Sequence, residues 1–589
     1  TIPCEMCIRD RRRPPLPLAP AIRSVCLIPG ATEFGYDTAP VARVLGLGRS
    51  APENVHQFQR TSDVLASLDA LEALCPNLTH VSVVASWFGT DLRAGECRIE
   101  PRVDLSAKAT SGSQWSVAGL TRGNAAQTSR SGDVAAYGGT PSDDGLVRLI
   151  RELKARGLSV TLYPFVMMDV PADNTLPDPW SDAASQSAYP WRGRITCHPA
   201  PGRPGSVDGT ALAAAQVAAL FGAAQPAHFA PSGGGLTHTR PPERSLRRHA
   251  QQYATHAVAA GGVDAFVIGS ELVGLTRVRS GPGVYPAVAQ LRTLAADLRT
   301  KLGPSTKLVY AADWTEYGAH VLSGGAEVRF PLDPLFADPL IDAVGIDYYP
   351  PIADWRDGPN HADAALAASG SDIDYLRGRL GAGEAFDWFY ASSADRDAQN
   401  RTPITDGAYG TPWVFRPKDL VGWWSSPHIE RVGGVESAAT AWVPRSKPIW
   451  LTEIGVPAVD KGANAPNVFP DAKSASGGLP PFSSGARDDL LQTRALEAIL
   501  SRFDPALPGF AAAMNPISPL YGGRMVDPSR TSLWCWDARP YPTFPQFDGV
   551  WADGGNWQTG HWLNGRLEGA TLGCVVSAIL ADHGLPGGP

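Results

Sequence analysis

The sequence predicts an α/β fold: an eight-stranded parallel (β/α)8 barrel with long insertions in its strand-to-helix loops, followed by the start of a second, C-terminal domain. Three observations predict it. Short apolar runs rich in Val, Ile and aromatic residues recur along the 589 residues, separated by amphipathic stretches of helical period. Two of these runs, 263–272 and 448–457, stop on a carboxylate, at Glu271 and Glu453. A buried parallel strand has little use for a charge in its body, so each glutamate is expected at a carboxyl end, the face where barrels of this kind carry their active sites. Finally, a chain that is 43% hydrophobic and 19% charged has ample material for a large core.

In chain order, 21–29 reads as a short strand ahead of the barrel, and a helix follows near 61–74. The Val-rich run 79–88 is expected as strand one and 114–120 as strand two. A capped amphipathic helix over 142–156, closed by Gly157, leads to strand three at 158–167. Residues 169–244 are rich in Pro, Gly, Ala and Ser. Their Trp180, Trp191, Arg192 and Arg194 favour an ordered lid over the mouth. Helices near 245–260 and 285–302 precede strand four, which carries Glu271, and strand five at 307–314. Strand six is 339–350. An aromatic insertion separates it from strand seven, which carries Glu453, and a helix over 487–502 precedes strand eight at 531–538.

The domain reading is a leader or artefact over 1–20, disordered, then the barrel with its insertions over 21–545. From 546 to 589 the Gly, Trp and Asn content, with a helix near 571–582, reads as an incomplete further domain; both ends of the sequence look cut.

Composition narrows the function. Lys and Arg number 51 against 58 Asp and Glu, for a net charge of -7, so nucleic acid is not an expected partner. No run of about eighteen uncharged apolar residues exists, so the chain reads as soluble, without a membrane span. Eight cysteines without regular spacing imply no disulfide framework, and the Cys4 and Cys7 pair lacks the second pair a metal site would show. Histidines are scattered, and no glycine-rich phosphate loop or nucleophile elbow follows a strand. No metal and no cofactor is expected.

Cleaving a glycosidic bond near neutral pH needs one protonated carboxyl beside the leaving oxygen and one carboxylate across the sugar ring. Glutamates ending strands four and seven meet that need if they face each other, with Glu271 as acid/base and Glu453 as nucleophile. Each glutamate alone also fits a strand-end residue paired with an arginine. Sugars stack their C–H faces on aromatic rings, so strand-end aromatics are candidate substrate contacts: Trp87, Tyr163, Trp314, Tyr348, Tyr349 and Trp536. Phe165 and Trp534 read as core. Asp169, Ser270, Asp313 and Asp347 are the polar candidates, as hydrogen-bond partners of substrate or of the catalytic pair.

The stretches 85–92, 114–120, 163–169, 191–197, 268–272, 345–350 and 451–457 together resemble a known family, the TIM-barrel, glycoside-hydrolase-like domain of the large tail protein of gene transfer agents and related phages. The resemblance implies a role at the tail tip of a particle made in the bacterial cytoplasm. Its partners would be a bacterial surface or cell-wall glycan and other tail or baseplate proteins. More distantly the barrel is similar to a retaining glycosidase clan whose strand-four motif is Asn-Glu, where Ser270 stands here. The expected function is retaining hydrolysis of such a glycan. The alternative is a tail hub component that only binds glycan or builds the particle.

Overall fold

The computed structural model describes residues 18–232, 235–239 and 243–568. The leader expected over 1–20 lies outside them as far as residue 17, as does the helix expected at 571–582.

Eight parallel strands close into a barrel: β1 (Ser24–Ile28), β2 (His80–Gly89), β3 (Ser159–Met168), β4 (Ala265–Ser270), β5 (Lys307–Asp313), β6 (Ala343–Tyr348), β7 (Ile449–Ile454) and β8 (Ser532–Asp537). Each pairs with its sequence neighbour, and β1 pairs with both β2 and β8, which seals the ring. Three assignments are thereby corrected. The run 21–29 is the first barrel strand, and 79–88 is the second. The run 114–120 is outside the barrel, forming a hairpin of two-residue strands, Ser116–Val117 and Leu120–Thr121. Its single turn at Ala118 and Gly119 leaves no length to span a barrel wall. Strands three to eight fall where the sequence puts them, so Glu271 and Glu453 keep their places after the fourth and seventh strands.

The helices around the barrel start and stop on local chemistry. The Ser142 side chain accepts from Gly145 N to cap α2 (Asp143–Ala155), and Ser245 does the same from Arg248 N for α3 (Leu246–Ala259). α4 (Pro286–Leu302) opens on a proline and ends at Gly303, whose φ of 77° few side-chain-bearing residues adopt. Asp488 caps α5 (Asp489–Phe503) from Leu491 N. α1 (Asp63–Leu74) packs behind β8.

Strand alternation divides the core in two. Outward residues, such as Val81 and Val83 of β2 and Leu308 and Tyr310 of β5, join the helices in one large apolar layer. Inward residues form a second, narrower cluster of Cys26, Val84, Tyr163, Phe165, Val267, Val309 and Trp450. Three register shifts break the alternation, one of them between Val267 and Ser270 where β4 pairs with β5. Cys26 pairs with Trp534 but Leu27 pairs with Trp536, which leaves Cys535 as an extra residue. Ile346 pairs with Leu451 but Asp347 pairs with Glu453, which leaves Thr452 extra.

Beyond β8, residues 546–568 fold back onto the barrel. The Asn564 side chain accepts from Asp537 N and donates to Asp537 O, and Leu563 N donates to Cys535 O. Among the described residues no helix is long and apolar enough to cross a membrane.

Candidate functional site

Glu271 is the first residue past β4, and its φ of 48° puts a side-chain-bearing residue in the left-handed region, at a cost of about 1–2 kcal/mol. Hydrogen bonds on either side hold it there: Glu271 N donates to Ala311 O at 2.8 Å and Leu272 N to the Tyr310 hydroxyl at 3.1 Å. Glu453 lies within β7, where the bulge at Thr452 turns two successive residues to the mouth. The Thr452 hydroxyl donates to Asp347 Oδ1 at 2.7 Å, and Glu453 Oε2 accepts from the Tyr349 hydroxyl at 2.8 Å.

The two glutamates, at 8% and 4% exposure, meet around one guanidinium. Arg192 Nη2 lies 2.9 Å from Glu271 Oε2, and the same oxygen accepts from the Trp191 indole at 2.6 Å. Arg192 also donates to Ser270 Oγ at 3.0 and 3.2 Å and lies 3.7 Å above the Phe165 ring. Phe165 stacks in turn on Trp534, with ring centres 5.6 Å apart. Burial works against the charge on Arg192, but Glu271 foremost, then Tyr163, Glu453 and Asp347, hold it firmly cationic.

The carboxyl groups act on one another. Burial, then the charge of Glu271, pushes Glu453 up to about 7, against the pull of Arg192 and the Tyr349 hydroxyl. Burial, then Glu453 and Glu271, raises Asp347 well above the usual carboxylate range. Asp313 is lifted to about 6 by burial and then Glu271. Three acids, Glu271, Glu453 and Asp347, therefore act on one guanidinium, with Asp313 acted on by Glu271, and near neutral pH part of the group holds a proton. Glu453 Oε1 is buried without a hydrogen-bond partner among the described residues, as a carboxyl oxygen awaiting a ligand or a proton would be.

Of the residues singled out from sequence, the carboxyl end of the barrel brings together Glu271, Glu453, Tyr163, Ser270, Asp313, Asp347 and Tyr349. The Tyr163 hydroxyl donates to Asp347 Oδ2 at 2.9 Å. Five others lie elsewhere. Trp87 faces the helix layer, 5.1 Å from His249 and 6.2 Å from Tyr253 of α3. Tyr348 packs on Phe503 of α5. Trp536 donates to the Ser67 hydroxyl of α1. Asp169 is taken by Arg102 at 2.7 Å and by Ser129. Half-buried Trp314 borders a cavity of about 420 Å³ with Pro351 and Phe389.

Strand alternation explains the misplaced aromatics. Tyr348 sits between inward Asp347 and Tyr349, so it points outward. On β8 the bulge at Cys535 sends Trp534 inward and Trp536 outward, although their spacing of two would put them on one face. Arg192 is the residue the sequence reading left out of the site. Phe165 carried a usable signal, being two positions from Tyr163 on the same strand face. Among the described residues no group of three His, Cys, Asp or Glu side chains is placed to hold a metal ion.

A family model described as the GTA TIM-barrel-like domain matches residues 244–545. Among solved structures, a GH113 beta-1,4-mannanase complex is similar at 14% identity, covering 87% of this chain and 92% of its own, with a TM-score of 0.38. The GH113 beta-mannanase from Alicyclobacillus acidocaldarius in complex with ManMIm shares 15%, covering 94% of this chain and 96% of its own, with a TM-score of 0.37. Fungal beta-1,4-galactanase shares 14%, over 73% of this chain and 82% of its own, with a TM-score of 0.25. No curated protein matches the sequence.

Proposed function

The chain belongs to the GTA TIM-barrel-like domain family, and from that premise we propose that it is a glycoside-hydrolase-like barrel of a phage or gene transfer agent tail protein. It cleaves a bacterial surface or cell-wall glycan by a retaining two-glutamate mechanism. The observation that carries the reading is that Glu271 and Glu453, at the carboxyl ends of the fourth and seventh strands, lie close enough for the charge of Glu271 to raise the Glu453 carboxyl, while Arg192 pairs with Glu271.

In that mechanism Glu453 attacks the anomeric carbon while Glu271 gives its proton to the leaving oxygen. Glu271 then takes a proton from the water that releases the sugar. Glu453 must therefore be ionised and Glu271 protonated at the first step. In the structure, Arg192 and Trp191 occupy Oε2 of Glu271, and Glu453 is the carboxyl pushed up to about 7. Catalysis thus requires the 191–192 segment to leave Glu271, which frees that oxygen for the leaving group. On this reading 21–545 handles the glycan, 546 opens a further tail domain, and the protein is a soluble particle component working beside other tail proteins.

The test is hydrolysis of peptidoglycan and capsular glycans by the wild type and Glu453→Gln. Turnover lost in the variant supports the proposal, and equal rates end it. One observation favours a second reading. If the arginine clamp on Glu271 is permanent, the barrel binds glycan or builds the tail without cleaving, and the wild type itself is inactive on every glycan.

A further inference from the structure

The segment that clamps Glu271 forms one wall of a second cavity. Arg192–Arg194 is a short 3₁₀ turn, and while Trp191 and Arg192 reach Glu271, Gly193 and Arg194 line an open hollow of about 480 Å³. That size falls in the range of small-molecule pockets, roughly 300–1,000 Å³. The opposite wall is the Val273–Thr276 turn that follows Glu271, with Arg277 beyond it. The walls meet at Gly274, where a Cβ would lie 2.6 Å from Gly193 O and 2.8 Å from Ile195 O.

The lining is one-sided in charge. Arg194 and Arg277 contribute guanidinium groups, His320 an imidazole and Trp180 an indole, and no acid lines the cavity. Among the described residues, no carboxylate lies within ion-pair distance of either arginine. Arg277 spends one donor on Thr315 O, and the Trp180 indole N–H is fixed on Arg194 O at 2.8 Å, which sets the ring's position. The acids that act on Arg277 are Glu316 and Asp313, raised by burial to about 7 and about 6, so at neutral pH Glu316 offsets its charge only in part. Burial, then Arg277 and Arg279, holds His320 down near 4, so it is a neutral hydrogen-bonding ring.

Two guanidinium forks beside an aromatic ring match a pyranose that carries a carboxylate: the arginines take the anion and Trp180 the C–H face. We propose that this cavity is a subsite for an acidic sugar, a uronic or sialic-type residue, adjoining Glu271. The inference rests on the glycan reading above and names its substrate class, but it does not depend on cleavage.

The test is NMR titration of the whole chain at fixed ionic strength with glucuronate, galacturonate and N-acetylneuraminate, each against its neutral counterpart: glucose, galactose and N-acetylmannosamine. At least one acid sugar is expected to bind about 10-fold or more tightly than its counterpart, the size of a charge-assisted hydrogen-bond contribution. Arg194→Ala with Arg277→Ala should bring the pair to within about 3-fold. Arg194→Gln alone, at a half-buried position, gives a partial loss and guards against misfolding of the double variant. No preference for any acid sugar, or a preference that survives the double variant, overturns the proposal. An inactive wild type with the preference intact sinks only the hydrolase reading.

Discussion

Arg192 holds Glu271 through an ion pair of 2.9 Å while its guanidinium plane rests 3.7 Å from the Phe165 ring. Both charges are nearly out of water, so removing one leaves the other buried and unmatched. Arg192→Ala should therefore lower unfolding free energy by about 3–5 kcal/mol. Arg192→Met combined with Glu271→Gln should cost clearly less than the two single changes summed, as read by urea denaturation.

The Tyr349 hydroxyl donates to Glu453 Oε2 at 2.8 Å, and that bond favours the charged carboxylate. Tyr349→Phe removes it and raises the Glu453 pKa further. The acid limb of the hydrolysis profile, which reports ionisation of Glu453, should move to higher pH. A carbon-13 titration of the Glu453 carboxyl checks the same shift without substrate.

A carboxyl raised in the folded state binds a proton that the unfolded chain has already released. For Glu453 this favours folding fully below the unfolded value near 4.5 and is lost as pH rises through about 7. Glu453→Gln has no such loss. Relative to the wild type its stability should improve between pH 5 and pH 8, on the order of 1–3 kcal/mol, measured by thermal or urea unfolding at the two pH values.

The inward and outward tryptophans of β8 should separate by phenotype. Trp536→Ala opens a hole against α1 and should destabilise by about 3–5 kcal/mol while leaving glycan affinity per folded molecule unchanged. Trp534→Ala removes the ring stacked under Phe165, at the mouth, and should weaken glycan binding more than folding. Unfolding midpoints and binding titrations on the same two variants check this.

Strands three to eight were legible because each is an apolar run of strand length, several of them preceded by an amphipathic helix, and Glu271 and Glu453 because a charge ends such a run. The barrel's first strand was passed over since Ser24–Ile28 is only five residues long and precedes a long irregular stretch. Which aromatics face the mouth was not legible on β8, because a bulge shows in pairing register and leaves no mark in composition. Arg192 was legible only as part of a lid over the mouth, and its pairing with Glu271 was not, for a related reason: it lies in a loop, and only the folded path of 170–191 carries it to Glu271, pinned by Tyr189 N on Val170 O and by Ser474 on Tyr189 O.

The ring is sealed where β1 meets β8, two strands drawn from nearly opposite ends of the described chain. The family match begins at 244, after three of the eight staves. A fragment trimmed to that match would lack β1 to β3 and leave the free edges of β4 and β8 as templates for stacking against other chains. Ribosomal synthesis meets the same geometry, since no closed wall exists until residue 537 has emerged, so the nascent chain passes most of its synthesis with open sheet edges.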